Sequence, residues 1–458
     1  MICESRWLAV GVALSFTGLA CFRTSLDEQR ASGFGGSSGG GVGGAGESGG
    51  GGVGGVANTG GNLGGIGAAG GDGGLGGGIN GGTAGSTGGA TSPGTGGTGT
   101  GGHTNAACTW GFSPPATYAA GESPVAIAIA DFDNDGNPDL AVGNYAGYPP
   151  GPTLNLLHNN GDGTFSAWTS YSSDMSFNLA VGPFASQQSK DIVAGCDLFP
   201  SAGDGTFASP LTYSQTYYCG IQIPTNNLVA ADFDGDGRLD FAWANYDVVA
   251  VYLNRGAGQF FEVDTSTYVE SLATGDLDGD GRPDLVAVSW GYGNPSYLKI
   301  LLNTGDGTFS QQYIDEGYDN LSDVAVGDLN GDGAPDIVVS HLAYPGALEV
   351  RLNQGGANFS ASATYPGNLF EVRSTAIGDL NGDGANDLVF ANYGEQSLAV
   401  FFNQGDGTFG QQVAWSLATD PWSVALGDLN SDGHPDVAVA GSSSSGGDSV
   451  TVFLSECK

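Results

Sequence analysis

Basic residues are scarce in this chain. Its 458 residues include 11 Lys plus Arg against 48 Asp plus Glu, and the formal net charge is −37 at pH 7. Nucleic acids and anionic membrane surfaces are bound through basic patches, so this composition argues against both as partners. The negative charge also repels itself within a compact fold, and we therefore expect bound cations to neutralise part of it.

Residue patterns typical of catalysis are lacking as well. The four histidines (His103, His158, His341 and His434) occupy no metal-ligand spacing, and no Ser–His–Asp order or nucleophile elbow stands out. The glycine-rich turns carry aspartates, which would repel the phosphates that a nucleotide-binding loop holds. We therefore expect a protein that is not an enzyme.

Long apolar runs are limited to one, from Trp7 to Ala20. Fourteen residues are too few to span a bilayer but suit the core of a signal peptide, which we predict over residues 1–20. The stretch GLAC (18–21) resembles a bacterial lipobox, although Gly18 and Leu19 stand where Leu and Ala are usual. Cys21 is therefore a candidate for lipidation at the mature N-terminus (21–32), and ordinary cleavage after Ala20 stays open.

Cysteine parity favours the lipidated form. Cys3 leaves with the signal peptide, and if Cys21 carries lipid the remaining cysteines form an even set: Cys108, Cys196, Cys219 and Cys457. Without the lipid five cysteines remain, an awkward number in an oxidising compartment. We therefore expect an exported protein, either a lipoprotein of the bacterial cell surface or outer membrane, or a secreted one. A lipid anchor would be its contact with a membrane.

Residues 33–107 are predicted to be a disordered linker. Thirty-eight of the 70 residues from Gly33 to Gly102 are glycine, and none is Lys or Arg. Such a segment buries too little apolar surface to offset the entropy lost on ordering. As a flexible coil it would reach on the order of 45 Å.

Residues 108–458 are built from a repeat. An acidic nonapeptide occurs six times, as DFDNDGNPD (131–139), DFDGDGRLD (232–240), DLDGDGRPD (276–284), DLNGDGAPD (328–336), DLNGDGAND (379–387) and DLNSDGHPD (428–436). Between the first two copies, PFASQQSKD (183–191) keeps the frame and the final Asp but has lost the other aspartates. The chain thus has seven repeat units, and the second lacks a complete acidic loop.

Each unit is predicted to contain four short strands. The acidic loop joins the first strand to the second, and a glycine turn joins the third to the fourth. This turn is GDGTF at 161–165, 203–207, 305–309 and 405–409, with degraded forms at 256–260 and 355–359. Repeated units of four strands predict an all-β fold, a seven-bladed β-propeller.

The combination of DxDxDG with GDGTF resembles the FG-GAP or VCBS repeat family, whose best-known members form the headpiece of integrin α chains. The resemblance covers residues 108–458. It implies a seven-bladed propeller with calcium in the loop between the first and second strands of most blades.

The acidic loop also suits calcium on chemical grounds. Calcium takes six to eight oxygens, and the loop offers side chains at positions 1, 3, 5 and 9, a backbone carbonyl at position 7 and a turn-permitting glycine at position 6. Position 3 is Asn in the last three copies, which leaves three carboxylates per ion and predicts weaker binding. Acidic turns without metal are the alternative. We expect about six Ca²⁺ ions and none in the second unit. The predicted ligands are Asp131, Asp133, Asp135, Asn137 and Asp139; Asp232, Asp234, Asp236, Arg238 and Asp240; Asp276, Asp278, Asp280, Arg282 and Asp284; Asp328, Asn330, Asp332, Ala334 and Asp336; Asp379, Asn381, Asp383, Ala385 and Asp387; and Asp428, Asn430, Asp432, His434 and Asp436.

The two ends of the repeat region are predicted to meet. The last unit stops before its glycine turn, and residues 108–118 align with a turn and a fourth strand, with Phe112 matching Phe409. The N-terminal segment should therefore complete the seventh blade. Cys108 and Cys457 fall in the same alignment column and are predicted to form a disulfide. Cys196 and Cys219 would pair within the second unit.

The face opposite the acidic loops is the predicted recognition face. Aromatic residues recur in its loops, and the candidate ligand-binding residues are Tyr145, Tyr246, Trp290, Tyr292, Tyr344, Tyr393 and Trp422. Aromatic rings suit sugars or protein partners, although they also pack strand ends. In integrins this face meets the ligand, and some fungal lectins with similar repeats bind glycans. We expect a monomeric recognition module for a glycan or surface protein; a lyase or hydrolase and a purely structural scaffold are the alternatives.

Overall fold

The computed structural model describes residues 110–457, except for 146–152, 173–177, 188, 214–227, 246–247, 257–259, 265–268, 270, 290–295, 316–320, 342–345, 361–362 and 444–446. Cys21 and the predicted signal peptide and linker lie outside the described residues. Within them, seven four-stranded antiparallel sheets form the blades of a β-propeller, so the predicted fold is confirmed. No helix in this described part has the length and apolar character needed to cross a bilayer.

The strands are numbered in chain order, and blades 1 to 7 follow the repeat units. Blade 1 contains β3 (Pro124–Ala130), β4 (Asp139–Asn144), β5 (Thr153–Asn159) and β6 (Phe165–Ser172); blade 2 contains β7 (Leu179–Gly182), β8 (Asp191–Ala194), β9 (Asp197–Phe199) and β10 (Leu211–Thr212). Blade 3 contains β11 (Leu228–Ala231), β12 (Asp240–Asn245), β13 (Val248–Asn254) and β14 (Phe260–Asp264); blade 4 contains β15 (Ser271–Gly275), β16 (Asp284–Val288), β17 (Tyr297–Asn303) and β18 (Phe309–Asp315). Blade 5 contains β19 (Leu321–Gly327), β20 (Asp336–His341), β21 (Gly346–Arg351) and β22 (Ala363–Leu369); blade 6 contains β23 (Val372–Gly378), β24 (Asp387–Asn392), β25 (Ser397–Phe401) and β26 (Val413–Ser416). Blade 7 contains β27 (Asp420–Gly427), β28 (Asp436–Ser442), β29 (Ser449–Phe453) and the N-terminal β2 (Ala116–Tyr118), while β1 (Trp110–Phe112) pairs with β30 (Ser455–Cys457).

Burial falls from the inner strands of a blade to its outer strand. All six residues of β24 (DLVFAN) are buried, whereas β26 (VAWS) in the same blade is mostly exposed. Inner strands pack on both faces against neighbouring blades, which explains their nearly continuous apolar sequences. The core therefore consists of successive layers between blades, such as the cluster of Ile127, Ile129, Ala425 and Ala438 between blades 1 and 7.

The N-terminal segment closes the ring, as the sequence predicts. Strand β2 pairs with β29 through Ala116–Val452 and Tyr118–Val450, and Phe112 lies opposite Ser455. In blade 6 the equivalent pair is Asn403 and Phe409. First strand β3 also contacts both β7 and β27, its neighbours around the ring.

Candidate metal centres and the opposite face

The acidic loops are folded by hydrogen bonds between their own carboxylates and backbone. In blade 3 the Asp232 carboxylate at position 1 accepts from the N–H groups of Asp236 and Gly237, at 3.1 and 2.8 Å. Gly237 has φ +83°, and the position-6 glycine has positive φ in all six loops. This left-handed conformation is the physical reason for glycine there. The bond from position 6 to the position-1 carboxylate recurs in every acidic loop.

The position-9 aspartate anchors each loop to the body of its blade. Asp240 is fully buried, and its two oxygens accept from the N–H groups of Phe233 (2.8 Å) and Asn254 (2.6 Å). The equivalent aspartates of the other five acidic loops make the same two backbone bonds. Burial raises the pKa of this carboxyl to about 6 in Asp139, Asp284, Asp336 and Asp436 and to about 7 in Asp240 and Asp387. A bound cation would oppose that shift by favouring the charged form.

A buried asparagine at the end of the third strand joins neighbouring blades, and the sequence analysis missed it. In blade 4, Asn303 Nδ2 donates to the carbonyl oxygens of Pro283 in its own loop and Phe233 in the loop of blade 3, both at 2.9 Å. The same role belongs to Asn159, Asn254, Asn353 and Asn403. The recurrence of this asparagine in five of the seven repeats was visible in the sequence, but its partner in the preceding blade was not.

The two blades without this asparagine make the same inter-blade contact by other means. In blade 7 the Trp110 indole donates to the carbonyl of Leu380 at 2.6 Å, and in blade 2 the Gly205 N–H donates to the carbonyl of Phe132 at 3.1 Å. The carbonyl at loop position 2 therefore accepts a hydrogen bond from the following blade at all seven places in the ring. This ring of bonds holds the loops at fixed positions on one face.

Three of the loops bring carboxylates together as a metal site requires. Ligand oxygens of positions 1, 3 and 9 lie within 4.8 Å of one another in blade 1 (Asp131, Asp133, Asp139), blade 3 (Asp232, Asp234, Asp240) and blade 4 (Asp276, Asp278, Asp284). Oxygens about 2.3–2.6 Å from one ion can be separated by at most about 5 Å, so these donor sets fit a single cation such as calcium. These clusters can therefore bind a metal ion.

The contacts of the position-5 carboxylate separate five of the six loops, those of blades 3 to 7, into two kinds. In blades 3 and 4 its carboxylate is contacted by the guanidinium of position 7, as Arg238 contacts Asp236 and Arg282 contacts Asp280. In blades 5 to 7 the same Oδ2 instead accepts from the position-3 asparagine, at 2.9 Å from Asn330 and 3.0 Å from Asn381 and Asn430. Position 7 was predicted to contribute only its backbone carbonyl. The contact of its arginine side chain with the position-5 carboxylate was not predicted.

Blade 2 keeps the frame of the loop without its carboxylates. Asp191 is fully buried and accepts from the N–H group of Ser201 (2.8 Å), as position 9 does elsewhere, and from that of Ala185 (2.6 Å) at position 3 in place of position 2. Lys190 reaches back to blade 1, where Nζ lies 2.6 Å from the carbonyl oxygen of Asp131 and 3.5 Å from its carboxylate. Among the described residues, this loop contains no group of three metal-ligating side chains.

His158 contacts the carboxylates of an acidic loop, although it occupies no metal-ligand spacing in the sequence. It lies at the end of β5, and its ring contacts Asp133 at 3.3 Å and Asp139 at 3.2 Å. This contact could not be predicted from the sequence, because His158 follows the loop by 19 residues and reaches it only through the pairing of β4 with β5.

The predicted recognition face is described in part. Tyr145 follows β4, at the end opposite the acidic loop, and is 48% exposed. Tyr393 and Trp422 are half-buried with ring centroids 4.8 Å apart, and the Arg373 guanidinium lies about 5 Å from both rings. The structure thus joins two of the predicted residues into one patch. Tyr246, Trp290, Tyr292 and Tyr344 lie outside the described residues.

The cysteines are described in part as well. Cys196 is buried and disulfide-bonded, but Cys219 lies outside the described residues, so the predicted pairing stays a prediction. Cys457 lies opposite Trp110 in the β1–β30 register. Trp110 follows Cys108 by two residues along the chain, and Cys108 lies outside the described residues. The predicted clasp between Cys108 and Cys457 likewise remains a prediction.

Comparison with curated proteins finds three relatives that this chain resembles in part. It is 25% identical to Cartilage acidic protein 1 of Xenopus tropicalis over 60% of this chain and 47% of that protein. It is 30% identical to Integrin alpha-8 of Gallus gallus over 29% of this chain and 15% of that protein. It is 24% identical to Phosphatidylinositol-glycan-specific phospholipase D of Bos taurus over 61% of this chain and 35% of that protein. The chain thus spans about half or less of the length of these relatives.

Family models and a solved structure agree with the fold. The crystal structure of BBS1N in complex with ARL6DN matches with a TM-score of 0.51 and 10% identity over 76% of this chain and 97% of that one, which shows the fold alone. The FG-GAP-like repeat matches residues 232–287, 276–339 and 379–439, and the FG-GAP repeat matches 123–167. Together with the seven blades, these matches identify the chain as a member of the FG-GAP repeat family.

Proposed function

We propose that this protein is an exported, calcium-stabilised recognition module that binds a glycan or a surface protein and has no catalytic activity. The observation that carries this proposal is the repetition of one loop geometry at six places on one face. A cation bound among the carboxylates of a loop would offset their mutual repulsion. Six calcium ions would change the formal charge from −37 to −25, since each adds two positive charges.

The opposite face supports the recognition part of the proposal. Arg373 lies over Tyr393 and Trp422, and its Nη2 is 3.2 Å from a Glu371 oxygen. Aromatic rings stack on the apolar C–H faces of sugars, and a guanidinium–carboxylate pair beside them offers donors and acceptors to hydroxyl groups. The same residue types anchor protein partners. Tyr246, Trp290, Tyr292 and Tyr344 remain proposed contacts on this face.

Export is supported by the signal-like run from Trp7 to Ala20 and by the relatives, which are extracellular or cell-surface proteins. In this proposal the glycine-rich linker holds a monomeric propeller away from its point of attachment, with lipid on Cys21 as the anchor. Free secretion would leave the same recognition face without the anchor.

A binding screen of the full chain in calcium, against a glycan array and extracted surface proteins, tests this assignment. Once a binding glycan or protein is found, Tyr393→Ala with Trp422→Ala should lower its affinity by at least about tenfold, because central aromatic contacts carry much of a binding energy. Tyr145→Ala tests the exposed ring separately. Asp406→Ala, in the glycine turn of the acidic-loop face, is the matched control. Unchanged affinity in the Tyr145, Tyr393 and Trp422 triple variant, with melting intact, would show that the contact lies elsewhere.

A hydrolase is the second candidate, because one relative is a phospholipase D. Incubating the full chain with a protein held on vesicles by a glycosylphosphatidylinositol anchor should release none of it above the buffer control. Calcium-dependent release would contradict the non-catalytic proposal while leaving the calcium sites in place.

A further inference from the structure

The acidic loop of blade 1 has a nitrogen donor among its carboxylates. His158 Nδ1 lies 3.3 Å from Asp133 Oδ2 and 3.2 Å from Asp139 Oδ1, and Nε2 lies 4.0 Å from Asp135 Oδ2. Ligating atoms of His158, Asp133 and Asp135 fall within 4.8 Å of one another. An imidazole nitrogen thus shares the space of the carboxylates assigned to calcium.

Packing does not require a histidine at this position. His158 directly precedes the inter-blade asparagine, and the residue before that asparagine, or before Ser455 in blade 7, is apolar in the other five blades with an acidic loop: Leu253, Leu302, Leu352, Phe402 and Leu454. In blade 7, Leu454 packs against the core, and Leu302 does so in blade 4. Leucine is the residue at the equivalent position of four other blades, so His158→Leu is a substitution that the fold should accept.

Position 1 of the same loop keeps its aspartate, but a lysine of blade 2 lies beside it. The Lys190 ammonium lies 3.5 Å from an oxygen of Asp131, which places a positive charge where a calcium ligand is expected. A cation at this carboxylate lowers the attraction for an ion bound between positions 1, 3 and 9. The blade 1 loop therefore keeps all of its carboxylates but differs from an all-oxygen calcium site by a ring nitrogen among them and by a lysine beside position 1.

Donor chemistry separates the ions that such a site prefers. Calcium takes oxygen ligands, whereas imidazole suits zinc and other divalent transition ions. Ligand atoms about 2.0–2.2 Å from a tetrahedral ion lie about 3.3–3.6 Å apart, close to the two distances from His158 Nδ1. A surface cavity of about 230 Å³, lined by Asp133, His158, Ser166 and Ala167, leaves room for a further ligand.

We propose that the acidic loop of blade 1 binds a divalent transition ion of the zinc class in place of calcium, through Asp133, Asp139 and His158 Nδ1. Asp135 then faces the other ring nitrogen and holds the imidazole in orientation, as carboxylates behind metal-bound histidines do. The proposal rests on the proposed calcium function only in assigning the other five loops to calcium.

Metal counting on the full chain tests the proposal. The chain is dialysed against excess calcium with and without micromolar zinc, and both metals are measured by mass spectrometry. We expect zinc to add one equivalent per chain and to remove one calcium. His158→Leu should lose the zinc equivalent and keep the calcium, while Asp135→Asn should weaken zinc binding by about 10–100-fold. His434→Ala, a histidine in the blade 7 loop, is the matched control and should bind zinc as the unaltered chain does.

Cobalt absorption supplies a second readout, because the visible d–d bands of Co²⁺ are much stronger in a tetrahedral site of the zinc type than in an octahedral all-oxygen site. These bands should appear with the unaltered chain and disappear in His158→Leu, whose circular dichroism should be unchanged. An equal zinc count in both proteins, or no zinc bound by the unaltered chain, would overturn the proposal. Failure of calcium to bind any loop would instead overturn the calcium function, since the His158-dependent zinc count is also measurable without calcium.

Discussion

Blade 2 and the other six blades share one loop framework but differ in the number of carboxylates in that loop. In both kinds a buried aspartate at position 9 accepts two backbone N–H groups, and a buried apolar residue, such as Phe184 or Phe233, occupies position 2. Blade 2 alone lacks a carboxylate at positions 1 and 5, and it has Ala185 at position 3, where the other loops have Asp or Asn. The comparison separates two features of one motif: the position-9 aspartate supports the blade in all seven repeats, and the other carboxylates occur only in the loops that could bind a metal ion.

The largest expected effect is that of removing calcium. A site held at about a hundred times its Kd contributes about 2.7 kcal/mol to folding, and six such contributions add. We expect the melting temperature of the full chain to fall by at least about 10 °C when calcium is chelated with EGTA. Calcium titration in zinc-free buffer should count six ions, not seven, because blade 2 lacks the ligands. Identical melting curves with and without EGTA would remove the calcium claim.

The next largest effect comes from the position-9 aspartate. Asp191→Asn in blade 2 disturbs two backbone bonds and the hydroxyl bond from Ser189, and should destabilise the fold by about 2–4 kcal/mol in calcium and in EGTA alike. Asp383→Asn, at position 5 of blade 6, should lower stability in calcium and leave the chelated protein nearly unchanged. Denaturant unfolding of both variants in the two buffers measures the difference. A calcium-dependent loss in Asp191→Asn would mean that blade 2 also binds an ion.

Sequence reasoning reached the parts of this molecule that repeat. Spacing of the nonapeptides predicted seven blades, and the missing fourth strand of the last unit predicted closure by residues 108–118, of which 116–118 pair with β29. Contacts between blades could not be predicted from the sequence. The acceptor of Asn303, for example, is a carbonyl 70 residues earlier, and the two groups are close only because the blades form a ring. The contact of His158 with Asp133 likewise depends on strand pairing, and a histidine without a repeat pattern gave no signal.

A smaller and gradual effect is expected from pH. Burial raises the pKa of Asp240 and Asp387 to about 7, above the unfolded value of about 3.9, so without metal the folded chain holds protons that the unfolded chain releases. Their contribution to stability is present below pH 4 and is lost as pH rises through about 7. Calcium reverses the preference, because its ligands must be ionised. The melting-temperature difference between calcium-bound and dialysed metal-free protein should therefore shrink from pH 8 to pH 5.

Replacing the two aspartates by neutral residues tests whether they cause the pH dependence of the metal-free melting temperature. Asp240→Asn with Asp387→Asn should flatten the pH dependence of the metal-free melting temperature relative to the unaltered chain. A metal-free protein that melts higher at pH 8 than at pH 5 would contradict the assignment, since the raised pKa requires the opposite sign.

The smallest expected effect distinguishes the two kinds of acidic loop. In blade 5, Asn330 donates to the Asp332 oxygen that an arginine contacts in blade 4, where Arg282 contacts Asp280. Asn330→Asp adds a fourth carboxylate and removes that donor. It should strengthen calcium binding at this loop and lower the metal-free melting temperature by about 1–3 °C.

Adding Ala334→Arg to Asn330→Asp rebuilds the blade 4 arrangement in blade 5. The arginine replaces the lost donor at the Asp332 carboxylate, so the double variant should regain most of the metal-free melting temperature and keep the stronger calcium binding. Calorimetric titration and metal-free melting of the unaltered, single and double variants measure both quantities. If the arginine restores nothing, its contact with position 5 is incidental and the two kinds of loop differ only in the charge of position 3. If it does restore stability, a position-3 carboxylate is tolerated because position 7 supplies its counter-charge, and the pairing of Asp with Arg at these two positions in blades 3 and 4 has a physical cause.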